Sequence, residues 1–202
     1  MKYEDIRPTI QTGDIVLSSG NSTFAGLLKN VYGHKLDHAA IAIWGEHLGK
    51  EPGRLYVWEA VSLGVGDKDF AEACATPNVD FLSRVISPGA GDVMIRHLYA
   101  ERTPEILVKI KLHCDLSRGL PYKRSTLALL RAVPWVRFLP FVPKDEDLAS
   151  QFCYEAAASL LQSAGWLSRV KPADYYSILD FVGAYMPLVG CTLSDLIPVE
   201  FP

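Results

Sequence analysis

An α+β domain, with an antiparallel sheet packed against a helix, is the fold class that the sequence predicts. Two observations point there. Short apolar runs rich in β-forming residues occupy the first half of the chain, and two stretches after residue 103 carry helical periodicity. The chain of 202 residues is long enough for one sizeable core, and no linker, repeat or low-complexity tract divides it.

The elements follow in order. Gly13 and Asp14 form a turn that feeds a buried strand at Ile15, Val16 and Leu17, and Ser18 to Ser22 supply turn and N-cap chemistry. Phe24, Leu27, Leu28 and Val31 then recur at three- and four-residue spacing, so a helix is expected there, with Gly33 as its cap. His38 to Trp44 is an apolar run ending at Gly45, and Leu55 to Val61 is another; the charged, Gly- and Pro-containing connection between them reads as joining paired strands. Residues 92–98 are a further strand candidate. Residues 104–116 are helical through Ile106, Leu107, Ile110 and Leu112 or Cys114. Residues 148–162, rich in Ala and Leu, predict the clearest helix, with Asp147 or Ser150 as N-cap and Gly165 beyond its end. From Pro172 onward the aromatic tail is expected to wrap the core.

Composition excludes several classes. Twenty basic and 23 acidic side chains give a net charge of −3, which argues against a nucleic-acid partner. The most apolar segment, residues 127–142, is interrupted by Arg131, Pro134, Arg137 and Pro140, so no transmembrane span is expected. The N-terminal residues are charged and lack a signal-peptide core, which makes a cytoplasmic location the expectation. Cys74, Cys114, Cys153 and Cys191 are widely spaced and form no C-x-x-C pair, so neither a zinc cage nor a disulfide framework is expected. His34 and His38 have i, i+4 spacing, but Gly33 argues against a continuing helix and no third ligand is evident; no metal and no cofactor are expected.

Three residues carry candidate chemistry. Cys153 lies in the first turns of its predicted helix, where the positive end of the dipole favours a sulfur anion. His38 begins an apolar strand directly after a polar turn, a rigid position open to a cleft, and could take the thiol proton. Glu59, inside Tyr-Val-Trp-Glu-Ala-Val, needs a partner, and the second ring nitrogen of His38 would serve. Read singly, each has an ordinary alternative: a small core cysteine, a satisfied strand-end histidine, a solvent-facing glutamate. Asp37, beside His38, reads as structural or solvent-facing, and His113-Cys114 as one exposed and one buried helical side chain.

Taken together, Gly13-Asp14-Ile15-Val16-Leu17, Asp37-His38-Ala39-Ala40-Ile41-Ala42-Ile43, Val57-Trp58-Glu59-Ala60-Val61 and Phe152-Cys153-Tyr154-Glu155 resemble the permuted NlpC-type papain-like cysteine hydrolases, the YiiX-like group. In that group the histidine strand precedes the cysteine helix. The resemblance runs from about residue 12 to about residue 180 and includes Phe81 to Arg84, Gly119-Leu120-Pro121-Tyr122 and Lys171-Pro172-Ala173-Asp174. It implies a circularly permuted papain-like fold, Cys153 as nucleophile, His38 as base and Glu59 as the residue that orients it. It also implies that Tyr122 lies near the oxyanion site. Tyr154, which stands where the group often has serine, is expected with Tyr122 among the oxyanion or substrate-binding residues, so the pocket beside the nucleophile is expected to differ.

The implied activity is that of a thiol amidase or peptidase acting on a cell-wall-like peptide or isopeptide. Two alternatives stay open: a lipid acyltransferase or thiol esterase of the lecithin retinol acyltransferase type, and a catalytically silent binding module. The apolar stretch within residues 123–147 is expected to be an insertion or lid. Its segment from Trp135 to Phe141 reads as core packing, a cover over the cleft, or a peripheral membrane contact. Expected substrates are small peptides, amides or lipids.

Overall fold

The computed structural model describes residues 1–19, 33–61, 64–66, 93–121 and 151–200. The helix expected over residues 24–31, the 123–147 insertion, Tyr122 and the segment from Trp135 to Phe141 lie outside the described residues.

Six strands form one antiparallel sheet: β1 Ile15–Ser18, β2 His38–Trp44, β3 Leu55–Val61, β4 Gly64–Gly66, β5 Val93–Arg96 and β8 Ile197–Val199. Their spatial order is β4-β3-β2-β1-β5-β8. A separate two-stranded ladder joins β6 Leu98–Tyr99 to β7 Thr192–Leu193. Among the described residues the α-helices are α1 Tyr3–Ile6, α2 Pro104–Ser117, α3 Cys153–Ala164 and α4 Ile178–Val182.

The central strands read as unbroken apolar runs because both of their faces are covered. On one face Ile15, Leu17, Ala39, Ile41, Ile43, Trp58 and Ala60 cluster with Ala156, Ala157, Leu160, Leu161 and Ala164 of α3 and with Ile110 and Cys114 of α2. On the other, Val16, Ala40, Ala42, Leu55, Val57, Val93 and Ile95 meet Tyr3, Ile6 and Ile10. Full burial of each large aliphatic side chain contributes about 1.5–3 kcal/mol. The alanines of α3 bring its backbone close to the sheet, which sets the depth at which its N-terminus meets the strand ends.

Several boundaries differ from expectation for identifiable reasons. The strand expected over residues 92–98 splits at His97, because Asp14 intervenes: its Oδ1 accepts the Leu98 N–H at 2.9 Å and its Oδ2 sits 2.6 Å from His97 Nδ1. The helix expected from residue 148 begins at Cys153, since Phe152 is extended at φ −88°, ψ 167° and the Gln151 N–H donates to Pro121 O at 3.1 Å. Asp147 and Ser150 are therefore not its caps. Helix α2 matches its expected span within a residue, with Thr103 Oγ1 accepting the Ile106 N–H at 3.4 Å and Pro104 in its first turn. The tail from Pro172 keeps to short elements, but it also contributes edge strand β8, which pairs Val93 with Val199 and Ile95 with Ile197.

Gly13 is needed where it stands. Its φ of +102° is unfavourable for other residues, and a Cβ there would lie 2.5 Å from Trp166 Cζ3.

Candidate active site

The three residues singled out in the sequence come together at one end of the sheet. Strand β2 starts at His38 and pairs with β3 through Ile41–Trp58 and Ala42–Val57. Past the Ile41–Trp58 pair, His38 and Glu59 meet at the end of the two strands. His38 Nε2 lies 2.6 Å from Glu59 Oε2, a short charge-assisted contact. The histidine side chain is 21% exposed and that of Glu59 only 7%, so the carboxylate has little water to replace its partner.

Cys153 is the first residue of α3 and is 3% exposed. Starting the helix at this residue puts the sulfur nearer the positive end of the dipole than the longer expected helix allowed. Glu155 makes that start rigid. Three residues past the N-cap position, its Oε2 accepts the Phe152 N–H at 3.2 Å, the acidic half of a capping box. Because Glu155 is itself buried, the cap is held by the core.

Sulfur and imidazole are neighbours, since Cys153 meets the carbonyl of Asp37, the residue before His38. Burial of His38 by itself disfavours its charged form, but the charge of Cys153, a hydrogen bond with that side chain, and the hydrogen bond and charge of Glu59 outweigh it. Together they hold the His38 imidazole well above the usual histidine value of 6.5. The ring therefore favours the imidazolium state between a carboxylate and a sulfur, an arrangement suited to storing the proton of a thiol. The Cys153 thiol also makes a long contact of 3.9 Å to the Asp37 carbonyl oxygen. Asp37 is buried. It is a wall of the site and not the solvent-facing residue that was one expectation for it.

The remaining expected residues fall elsewhere. Tyr154 is fully buried and its ring lies 6.0 Å from that of Phe152, so it packs in the core beside the nucleophile. His34 Nδ1 accepts the Leu36 N–H at 3.1 Å and forms no pair with His38. Cys114 is fully buried and His113 partly so. Burial pushes the Cys114 and Cys191 thiols up, and it lowers His113 to about 4.

The structure also shows polar residues that sequence reading passed over. Asp14, taken as turn chemistry, is 1% exposed and holds the Gln11 and Leu98 N–H groups, His97 Nδ1 and the Arg102 guanidinium. Gln151, two residues before the nucleophile, is buried. The only sequence signal for it was its closeness to Cys153.

Comparison with solved structures yields the crystal structure of the metalloprotein YiiX from Escherichia coli O157:H7, matched at 17% identity with a TM-score of 0.52, over 95% of this chain and 98% of that one. The chain shares the YiiX fold. At this identity the likeness speaks for architecture, and it agrees with the α+β, antiparallel arrangement described above. No family model and no curated protein matches the chain. Among the described residues no helix is long and apolar enough to cross a membrane.

Proposed function

We propose that the protein is a thiol hydrolase of the permuted papain-like kind, cleaving an amide bond in a peptide or isopeptide through a thioester on Cys153. The observation that carries this reading is a histidine held at 2.6 Å by a buried carboxylate, next to a cysteine that begins a helix and whose sulfur meets the carbonyl oxygen of Asp37, the residue before that histidine. The order His38, Glu59, Cys153 along the chain supports the permuted connectivity, and the shared YiiX fold is consistent with it.

In the mechanism that follows, His38 holds the thiol proton and the Cys153 sulfur attacks the carbonyl carbon. The C=O π pair moves onto oxygen beside the N-terminus of α3. As that pair returns, the C–N bond breaks and the His38 imidazolium gives its proton to the departing amine. His38, now neutral, takes a proton from water, whose oxygen attacks the thioester and releases the acid, restoring the sulfur and the imidazolium. Glu59 keeps the ring oriented and stabilises its positive state throughout.

YiiX itself is described as a metalloprotein. Here one ring nitrogen of His38 is taken by Glu59, and among the described residues no group of three His, Cys, Asp or Glu side chains is placed to hold a metal ion. Each step above runs on the chain's own side chains.

The reading is tested by incubating the protein with a panel of γ-glutamyl, muropeptide and isopeptide amides. Digests are then searched by mass spectrometry for a hydroxylamine-labile acyl group. The expected adduct is on the Cys153 peptide and absent in Cys153→Ser. An acyl group confined to other cysteines, or substrate cleavage undiminished in Cys153→Ser, contradicts it.

A further inference from the structure

Helix α2 carries an apolar stripe on the side turned away from the core. Val108, Leu112 and Leu116 stand four residues apart and are 65, 56 and 74% exposed, while Ile110 and Cys114 on the opposite side are buried in the cluster that includes α3. Single exposed aliphatics are ordinary on a protein surface, but three in one row along a 14-residue helix form a continuous patch. Such a row is an i±4 ridge, the feature by which two helices pack together.

The charges beside the stripe decide what fits it. With about 3.6 residues per turn, Glu105 and Lys109 run along one edge of the row and Lys111 and Asp115 along the other. Lys111 Nζ and Asp115 Oδ2 are in contact within the second edge. One edge therefore reads acid then base along the helix, and the other base then acid. Two acids and two bases cancel, so the face lacks the basic excess that draws an amphipathic helix onto an anionic membrane.

The pattern is instead complementary to itself. When two copies of α2 are laid stripe on stripe and run in the same direction, edges of opposite order meet: Glu105 faces Lys111 of the second copy, and Lys109 faces Asp115 of the second copy. An antiparallel pair sets each edge against itself, which brings Lys109 close to its own counterpart and Asp115 close to its own.

We propose that this face of α2 is the seam of a homodimer. A second copy of the chain docks its own Val108, Leu112 and Leu116 along the row, about a twofold axis parallel to the stripe, so that like residues meet and the helices cross at about 50°. The four charged side chains then form the polar rim around an apolar centre that protein interfaces use. One helix face is a small interface, so the dimer is weak and dissociates on dilution. The proposal stands apart from the thiol-hydrolase reading, since Cys153, His38 and Glu59 take no part in the seam.

Sedimentation equilibrium of the full chain over a wide concentration range is the test, with melting temperature followed alongside. Wild type is expected to interconvert between monomer and dimer. Leu112→Lys is expected to weaken association at least ~10-fold, as for a central interface residue, and to leave the melting temperature unchanged because the side chain it replaces is exposed. Reversing one edge, Glu105→Lys with Lys109→Glu, is expected to weaken association too; reversing the other edge as well, with Lys111→Glu and Asp115→Lys, is expected to restore it. A wild type that stays monomeric at every concentration overturns the proposal, and so does a dimer that Leu112→Lys or the single-edge reversal leaves intact. Monomeric protein that binds vesicles of phosphatidylcholine and phosphatidylglycerol through Leu112 overturns it in favour of a membrane contact. A Leu112→Lys melting temperature that falls with no change in association places the stripe against the chain itself and overturns it equally.

Discussion

His38→Ala is expected to slow nitrophenolate release from p-nitrophenyl acetate by about 10²- to 10⁴-fold, the range for losing a positioned acid–base group. The variant loses three things together: the acceptor of the thiol proton, the positive charge beside the sulfur, and the donor to the leaving group. It also strands Glu59, whose side chain is 7% exposed and whose described partner is the imidazole at 2.6 Å. A stability signature accompanies the kinetic one. His38 is raised in the folded state above its unfolded value of 6.5, so the fold binds its proton more tightly than the unfolded chain does. The stability this contributes is fully present below pH 6.5 and is lost as pH rises through the raised folded value. The gap in melting temperature between wild type and His38→Ala is therefore largest on the acid side and narrows on the alkaline side. A loss of activity below about tenfold, or a gap that widens with rising pH, speaks against the assigned role.

The second large effect falls on stability alone. Asp14→Ala is expected to cost about 3–5 kcal/mol, the range for removing one partner of a buried, hydrogen-bonded charge cluster. With Asp14 gone, the Gln11 and Leu98 N–H groups lose their acceptor, His97 Nδ1 loses a contact of 2.6 Å, and the positive charge of Arg102 loses its counter-ion. Arg102 keeps its bonds to the Thr12, Ala100 and Leu98 carbonyls, so the loop holds its shape and the cost falls on the buried donors. Urea unfolding is expected to show a lower midpoint at unchanged slope. As a reference, Glu51→Ala removes the carboxylate of an exposed surface pair with Arg54 and should leave the midpoint nearly unmoved. An Asp14→Ala midpoint close to that of Glu51→Ala contradicts the reading of Asp14 as a structural keystone.

Strands β1 to β3 were legible because burial on both faces leaves no polar residue to interrupt the run, and Glu59 stood out because it is the exception. A carboxylate inside Tyr-Val-Trp-Glu-Ala-Val has to be matched by something, and period-two geometry limits the choice to the adjacent strand. The start of α3 was misread by about five residues because Asp147 and Ser150 are good caps by type, whereas the actual stop is a tertiary tie between Gln151 and Pro121. Helix α1 and strand β8 left no periodic signal at all. They exist because the chain ends pair with each other, Tyr3 N–H to Glu200 O at 2.9 Å and the N-terminal amine to Pro198 O at 2.9 Å. The break at His97 was equally hidden, since it is imposed by Asp14 from 83 residues away. Local pattern thus pointed to His38 and Glu59, which meet at the strand ends, while non-local hydrogen bonds decided how the elements pack around them.

The central claim is that His38 activates Cys153. It is tested most directly by the pH dependence of iodoacetamide labelling, resolved by mass spectrometry for each cysteine, in wild type and His38→Ala. The account predicts that wild-type Cys153 labels faster than Cys114 and Cys191, whose thiols burial pushes up, and that His38→Ala abolishes this advantage. Labelling of Cys153 no faster than that of Cys114 and Cys191, and indifferent to the substitution, would contradict it.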